Sequence, residues 1–117
     1  MKLGEVCFLT NDVARLANFY KSLLNIDNGS EDGVHQKLIC EETMLTVYND
    51  GSTKNNANRN ICVAFTCDDI YSEYEKLKKL NVEIIEGPKV RPFGTTNLSF
   101  YDPDGNVVYL RSINANE

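Results

Sequence analysis

The 117-residue chain has no tryptophan and a single histidine, and none of its four cysteines forms a C-x-x-C pair. The missing pairs exclude a zinc ribbon and a thioredoxin-type redox motif. No segment approaches the roughly 20 consecutive apolar residues of a membrane span. The opening MKLGEVCFLTND has neither a long apolar run nor a cleavage site, so a cytoplasmic location is expected. The basic excess that nucleic acid calls for is also absent: 12 Lys and Arg stand against 17 Asp and Glu, a net charge of −5. Neither nucleic acid nor an anionic membrane is expected as a partner. The balance leans toward cationic or neutral ligands, or serves only to keep the protein soluble.

What is present is enough for a domain that needs no staples. Apolar residues make up 42% of the chain and charged residues 25%, both ordinary values. A chain of this length buries roughly two-thirds of the surface it would expose unfolded. Cys7, Cys40, Cys62 and Cys67 lie in apolar, strand-like runs and read as reduced, buried thiols.

The hydrophobic pattern divides the chain 1–117, taken as one domain, into a module over 1–49, a polar linker over 50–60, a second module over 61–112 and a frayed tail over 113–117. In the first module Leu3 to Leu9 alternates as a strand, and Asn11 and Asp12 offer helix caps. Val13, Leu16, Ala17, Tyr20, Leu23 and Leu24 then form one helical stripe. Val34 to Cys40 and Met44 to Tyr48 predict a hairpin turning at Glu41 and Glu42. After the linker the pattern restarts. Ile61 to Cys67 reads as a strand, Asp68 and Asp69 as caps, and Ile70, Tyr74 and Leu77 as a second stripe ending at Leu80 and Asn81. A short strand over Val82 to Glu86 is closed by Gly87 and Pro88. Two more follow, Thr96 to Tyr101 and Asn106 to Arg111, joined by the tight turn Asp102-Pro103-Asp104-Gly105.

The restart keeps register. Val6 and Val63, Phe8 and Phe65, and Asp12 and Asp69 all stand 57 residues apart, which points to an internal duplication. The opening strand with Asn11-Asp12-Val13 and Phe19-Tyr20, the run Val63 to Ile70, and above all Phe100-Tyr101-Asp102-Pro103-Asp104-Gly105-Asn106 resemble the vicinal oxygen chelate superfamily. That superfamily includes glyoxalase I, extradiol dioxygenases, and fosfomycin- and bleomycin-resistance proteins. The resemblance implies an α+β fold of two βαβββ modules forming a curled mixed sheet around a cleft, with helices outside. Strand alternation then directs Val6, Phe8, Val63, Phe65, Val108 and Leu110 to the helices. Glu5, Cys7, Thr46, Tyr48, Cys62, Ala64, Asn97, Ser99, Val107, Tyr109 and Arg111 fall on the cleft side.

Metal-dependent members of the superfamily hold a divalent ion at four strand positions. These map onto Glu5, Thr46, Cys62 and Tyr109. Only Glu5 and Cys62 carry a donor suited to a metal at neutral pH. His35, the one histidine, lies in the first hairpin away from those positions. No bound metal or other cofactor is therefore expected, a divalent metal being the alternative. Without it the Lewis acid of the superfamily's enzymes is lost. Glu5 remains as a candidate general base, and equally as a countercharge for a cationic ligand or for Arg111. Cys62 as a nucleophile has no base that the sequence places beside it.

The loop Lys89 to Gly94 matches one that often closes over ligand in the superfamily, with Arg91 suited to an anion and Phe93 to a ring, or reads as a plain surface loop. Three functions follow. The first is a metal-free small-molecule binder like the bleomycin-resistance branch, which sequesters antibiotic and works as a homodimer. The second is a lyase, isomerase or dioxygenase with an atypical metal site. The third is an interaction domain whose vestigial cleft is filled by Tyr48, Tyr109 and Phe93.

Overall fold

Helix Val13–Leu24 (α1) forms where the apolar stripe is longest, and it buries Val13, Leu16, Ala17, Tyr20 and Leu23. Its entry is fixed by Asp12, whose carboxylate accepts the Arg15 amide at 3.2 Å, while the Asp12 amide donates to Thr10 Oγ1 at 3.1 Å. Such capping satisfies amides that the first turn leaves without partners. It ends at Asn25, in the left-handed region at φ 55, with the Ile26 amide donating to the Lys21 carbonyl at 3.0 Å. The second helix, Ile70–Lys79 (α2), follows the same plan. Asp69 accepts from the amides of Tyr71 and Ser72, and Ile70 and Leu77 are buried.

In this computed structural model, residues 3–52, 61–92 and 94–114 are described. The chain divides into two compact units between residues 55 and 56, inside the polar stretch. In the first unit Glu5–Leu9 (β1), His35–Cys40 (β2) and Thr43–Tyr48 (β3) form an open sheet in the order β1-β3-β2. The outer strands flank β3, β1 parallel and β2 antiparallel to it. In the second unit Val63–Thr66 (β4), Glu83–Val90 (β5), Thr95–Tyr101 (β6) and Val107–Ile113 (β7) form a sheet in the order β4-β7-β6-β5. Here β4 runs parallel to β7 and the other neighbours pair antiparallel. The architecture is α+β, as expected, with mixed pairing spread over two open sheets. The second unit completes the βαβββ plan; the first shows three strands among its described residues.

Each core lies where strand alternation meets a helical stripe. In the first unit Leu38, Leu45 and Val47 are buried with the α1 stripe, and Phe8 stacks on Tyr20 with centroids 5.1 Å apart. In the second unit Leu98, Phe100, Val108 and Leu110 are buried with Ile70 and Leu77. The register pairs Leu98 with Leu110 and Phe100 with Val108. Burying one such side chain fully contributes about 1.5–3 kcal/mol.

Three expectations on strand ends are corrected. β5 does not stop at Glu86 but runs through Gly87 and Pro88 to Val90, absorbing them as register shifts between Ile84 and Glu86 and between Glu86 and Lys89. It is an edge strand, where a proline's missing N–H breaks no ladder. The last strand does not end at Arg111. Ser112 and Ile113 pair with Thr96 and Thr95, the Asn114 amide donates to the Gly94 carbonyl at 3.0 Å, and Asn114 Oδ1 accepts Thr96 Oγ1 at 2.8 Å. The first part of the expected tail is thus held by the sheet; residues 115–117 lie outside the described residues, as do 53–60 of the linker. β4 is shorter than expected, so Cys62 sits just before the strand.

Candidate functional site

Strand register places the candidates that lie within strands on one face of each sheet, opposite the apolar face that packs on the helix. In the first unit that face is built from three rows: Glu5, Met44 and Ile39; Cys7, Thr46 and Lys37; and Leu9, Tyr48 and His35. Four of the candidates, Glu5, Cys7, Thr46 and Tyr48, stand together here. Thr46, on the central strand, is wholly buried. Its neighbours on the edge strands, Cys7 and Lys37, are exposed. His35 packs edge-on against Tyr48, ring centroids 5.5 Å apart. The large apolar side chains Leu9 and Ile39 are exposed on the same face.

In the second unit the matching face has two complete rows. One is Ala64, Tyr109, Ser99 and Glu86; the other is Thr66, Arg111, Asn97 and Lys89. Tyr109, Ser99, Arg111 and Asn97 therefore lie on one face of this sheet. Glu86, Lys89 and Thr66 join them without having been singled out in the sequence. Arg111 is held by its Nε, which donates to Thr66 Oγ1 at 3.0 Å across the parallel pair. Arg91, expected to be available to an anion, is instead ion-paired with Glu86. The turn of β5 past its register shifts brings the two within reach of each other. Phe93 lies outside the described residues.

Among the described residues three buried side-chain oxygens have no hydrogen-bond partner: Thr46 Oγ1, Thr95 Oγ1 and Asn97 Oδ1. By strand alternation all three belong to the faces turned away from the helices. Thr95 and Asn97 are two residues apart on β6 and share a side.

The positions matching the superfamily's metal ligands do not carry the chemistry of a full donor set. Glu5 and Thr46 are on neighbouring strands of the first sheet. Cys62 precedes β4, and Tyr109 is on β7. One carboxylate, one thiol, a hydroxyl and a phenol offer too few charged or soft donors for zinc or a hard cation. Among the described residues no three His, Cys, Asp or Glu side chains come together to hold a metal ion. The residues present do not fit the superfamily's metal.

The thiols differ in environment. Cys7 and Cys62 are exposed, contrary to the expectation that all four are buried, and Cys40 and Cys67 are partly covered. Partial burial raises the Cys40 thiol above its ordinary value. Burial also raises Cys67, helped by the charges of Glu73, Asp68 and Asp69. Neither is activated for nucleophilic attack. In the loop before β2, Asp32 accepts the amides of Val34 at 2.7 Å and His35 at 3.1 Å, and these bonds hold its carboxyl below the usual carboxylate range.

The family model described as the Glyoxalase/Bleomycin resistance protein/Dioxygenase superfamily matches residues 2–110. The chain belongs to this superfamily. It is 36% identical over 70 residues to the uncharacterized protein YetH of Bacillus subtilis (strain 168), a match covering 60% of this chain and 58% of the relative's length. A glyoxalase/bleomycin resistance protein/dioxygenase family enzyme from Burkholderia phytofirmans PsJN is similar in structure, with a TM-score of 0.80 at 12% identity over 97% of this chain and 99% of that one. Lactoylglutathione lyase from Agrobacterium tumefaciens gives 0.72 at 18% identity over 95% and 92%. An integron cassette protein from the mobile metagenome of V. cholerae gives 0.72 at 21% identity over 96% and 94%. At these identities the likeness is one of fold. No helix among the described residues is long and apolar enough to cross a membrane.

Proposed function

We propose that the chain binds a small organic molecule on the helix-distal sheet faces, without a metal and without chemistry. The observation that carries this reading is the set of buried, unpartnered oxygens, Thr46 Oγ1, Thr95 Oγ1 and Asn97 Oδ1, all on those faces. An unpaired buried polar group costs about 1–3 kcal/mol. Three such groups on the same two faces are accounted for if an outside molecule supplies their partners. Each face mixes aromatic and polar groups, Tyr48 beside Thr46 on the first and Tyr109 beside Arg111 on the second, which suits an amphipathic ligand. Superfamily membership adds support, since the superfamily's own description includes bleomycin resistance proteins. Sequestration of an antibiotic-like compound is the form of binding favoured.

The test is metal analysis of protein purified without chelator, paired with a thermal-shift screen of cationic, neutral and anionic aromatic compounds. A shift of several degrees in metal-free protein supports the reading, because a ligand that binds only the folded state raises its apparent stability. Near-stoichiometric metal accompanied by turnover overturns it in favour of an enzyme. No shift with any compound overturns it in favour of a face that has lost its ligand.

A further inference from the structure

The two rows of the second sheet differ in charge. The row of Ala64, Tyr109, Ser99 and Glu86 holds one acid, and that acid is taken by Arg91. The row of Thr66, Arg111, Asn97 and Lys89 holds two cations and no acid. Glu83 stands further along the strand, opposite Tyr101. Over the whole chain the charge of −5 favours cations, yet this row is locally positive. Two observations say how it is arranged. Arg111 spends its Nε on Thr66 Oγ1 at 3.0 Å, and its terminal N–H groups have no acceptor among the described residues. Lys89 likewise has no ion pair among them. Directly across the ladder from Arg111, Asn97 keeps a buried oxygen without a donor, and Thr95 adds a second unpartnered oxygen two residues away.

Resting on the ligand-binding reading above, we propose that this row takes a carboxylate whose neighbouring carbon carries a hydroxyl. The guanidinium, fixed at Nε, presents its remaining N–H groups as a fork that a carboxylate matches with two parallel hydrogen bonds. Lys89 adds a point charge on the far side. The hydroxyl donates to Asn97 Oδ1. Directly opposed residues on an antiparallel pair are about 4.5–5.5 Å apart at Cα, a spacing that lets one small head group reach both side chains. Thr66 is a positioning residue: its hydroxyl accepts Arg111 Nε, and it acts on the ligand through that side chain.

The experiment titrates mandelate, benzoate and mandelamide into the ¹⁵N-labelled full chain and follows amide shifts along β6 and β7. Mandelate is expected to bind most tightly, with shifts centred on residues 95–99 and 109–113. Benzoate, lacking the hydroxyl, binds more weakly, and mandelamide, lacking the charge, more weakly still. R111Q is expected to weaken mandelate by about tenfold or more, the loss of a charged hydrogen-bonded pair. N97L is expected to remove the advantage of mandelate over benzoate. T66V, which keeps the charge and loosens its orientation, weakens both acids by a smaller factor. Retained dispersion of the amide spectrum shows that each variant is folded. If mandelamide or a benzylamine control binds these strands as tightly as mandelate, the carboxylate proposal falls and the ligand-binding reading stands. If no compound shifts these residues, both fall.

Discussion

The two units share a plan and differ in what they present on the face away from the helix. In the first, that face is three strands wide among the described residues and shows Leu9, Ile39 and Met44 interleaved with Glu5, Lys37 and His35 around a buried Thr46. In the second, it is four strands wide and shows Arg111, Asn97, Lys89, Tyr109 and the Glu86–Arg91 pair. The helix-facing sides remain alike: Val6 and Phe8 correspond to Val63 and Phe65, and Asp12 to Asp69 as the residue that caps the helix. The core thus constrains a duplicated unit more tightly than the face away from the helix does. Side chains wedged under a helix must keep volume and apolarity, whereas the opposite face is free to exchange polar for apolar groups.

The largest expected effects test whether both cores contribute. Phe100→Ala in the second unit and Leu16→Ala in the first each remove a wholly buried side chain. Costs of about 3–5 and about 2–5 kcal/mol are expected in urea unfolding followed by circular dichroism. A cost below about 1 kcal/mol for either would show that its core is not a comparable source of stability.

The next effect belongs to the second unit alone. Asp102 is buried in the β6–β7 turn and accepts the amides of Asp104 and Asn106, each at 2.9 Å, and Asn106 Nδ2 at 2.8 Å. Asp102→Ala removes the acceptor of these three donors, and a loss of about 2–3 kcal/mol is expected. Asp102→Asn, which keeps one acceptor oxygen, should recover part of it.

Smaller still is the difference between the caps. Asp69 accepts two amides and Asp12 accepts one. Both Asp→Ala changes fall in the range of about 0.5–2 kcal/mol, and Asp69→Ala should be the costlier. Equal losses would mean that the second amide contributes nothing measurable.

The smallest effect concerns the thiols, where the units should behave alike. Each has one exposed cysteine, Cys7 or Cys62, and one with a raised thiol, Cys40 or Cys67. Titration of the folded protein with a thiol reagent near pH 8 should show two fast and two slow groups, and C7S and C62S should each remove one fast phase. The sign of the pH effect follows from the raised values. Below the ordinary thiol value of 9.0 the thiols are protonated in both folded and unfolded chain, and their contribution to stability is complete. As pH rises past it the unfolded chain loses its protons first, so stability declines. Cys40→Ser and Cys67→Ser should flatten that decline.

Much of the fold was legible because the signals are local. The α1 stripe spans Val13–Leu24 as its spacing predicts. Asp12 and Asp69 cap as their positions suggest, and Asp102-Pro103-Asp104-Gly105 turns with Gly105 at φ 84. The candidate faces were legible too, since alternation assigns sides wherever pairing is regular. Where β5 carries register shifts, alternation fails: each extra residue reverses the side on which those after it fall. For that reason Glu86 and Lys89 were missed, Gly87-Pro88 passed for a strand end, and Arg91 passed for an available cation.

The sequence by itself determined the duplicated helix-and-strand plan, the capping residues, the hairpin turn and the superfamily, because each rests on residues within a few positions of one another or on a repeat that can be read along the chain. Which distant residues became neighbours was set by how the strands pair. The tertiary structure placed Arg111 between Thr66 and Asn97, gave Arg91 to Glu86, tied Asn114 to Gly94 and Thr96, and left the buried oxygens of Thr46, Thr95 and Asn97 without a hydrogen-bond partner among the described residues. Those pairings depend on strand order and register, which join segments far apart in the chain and are settled by burial of the whole sheet rather than by any local run of residues.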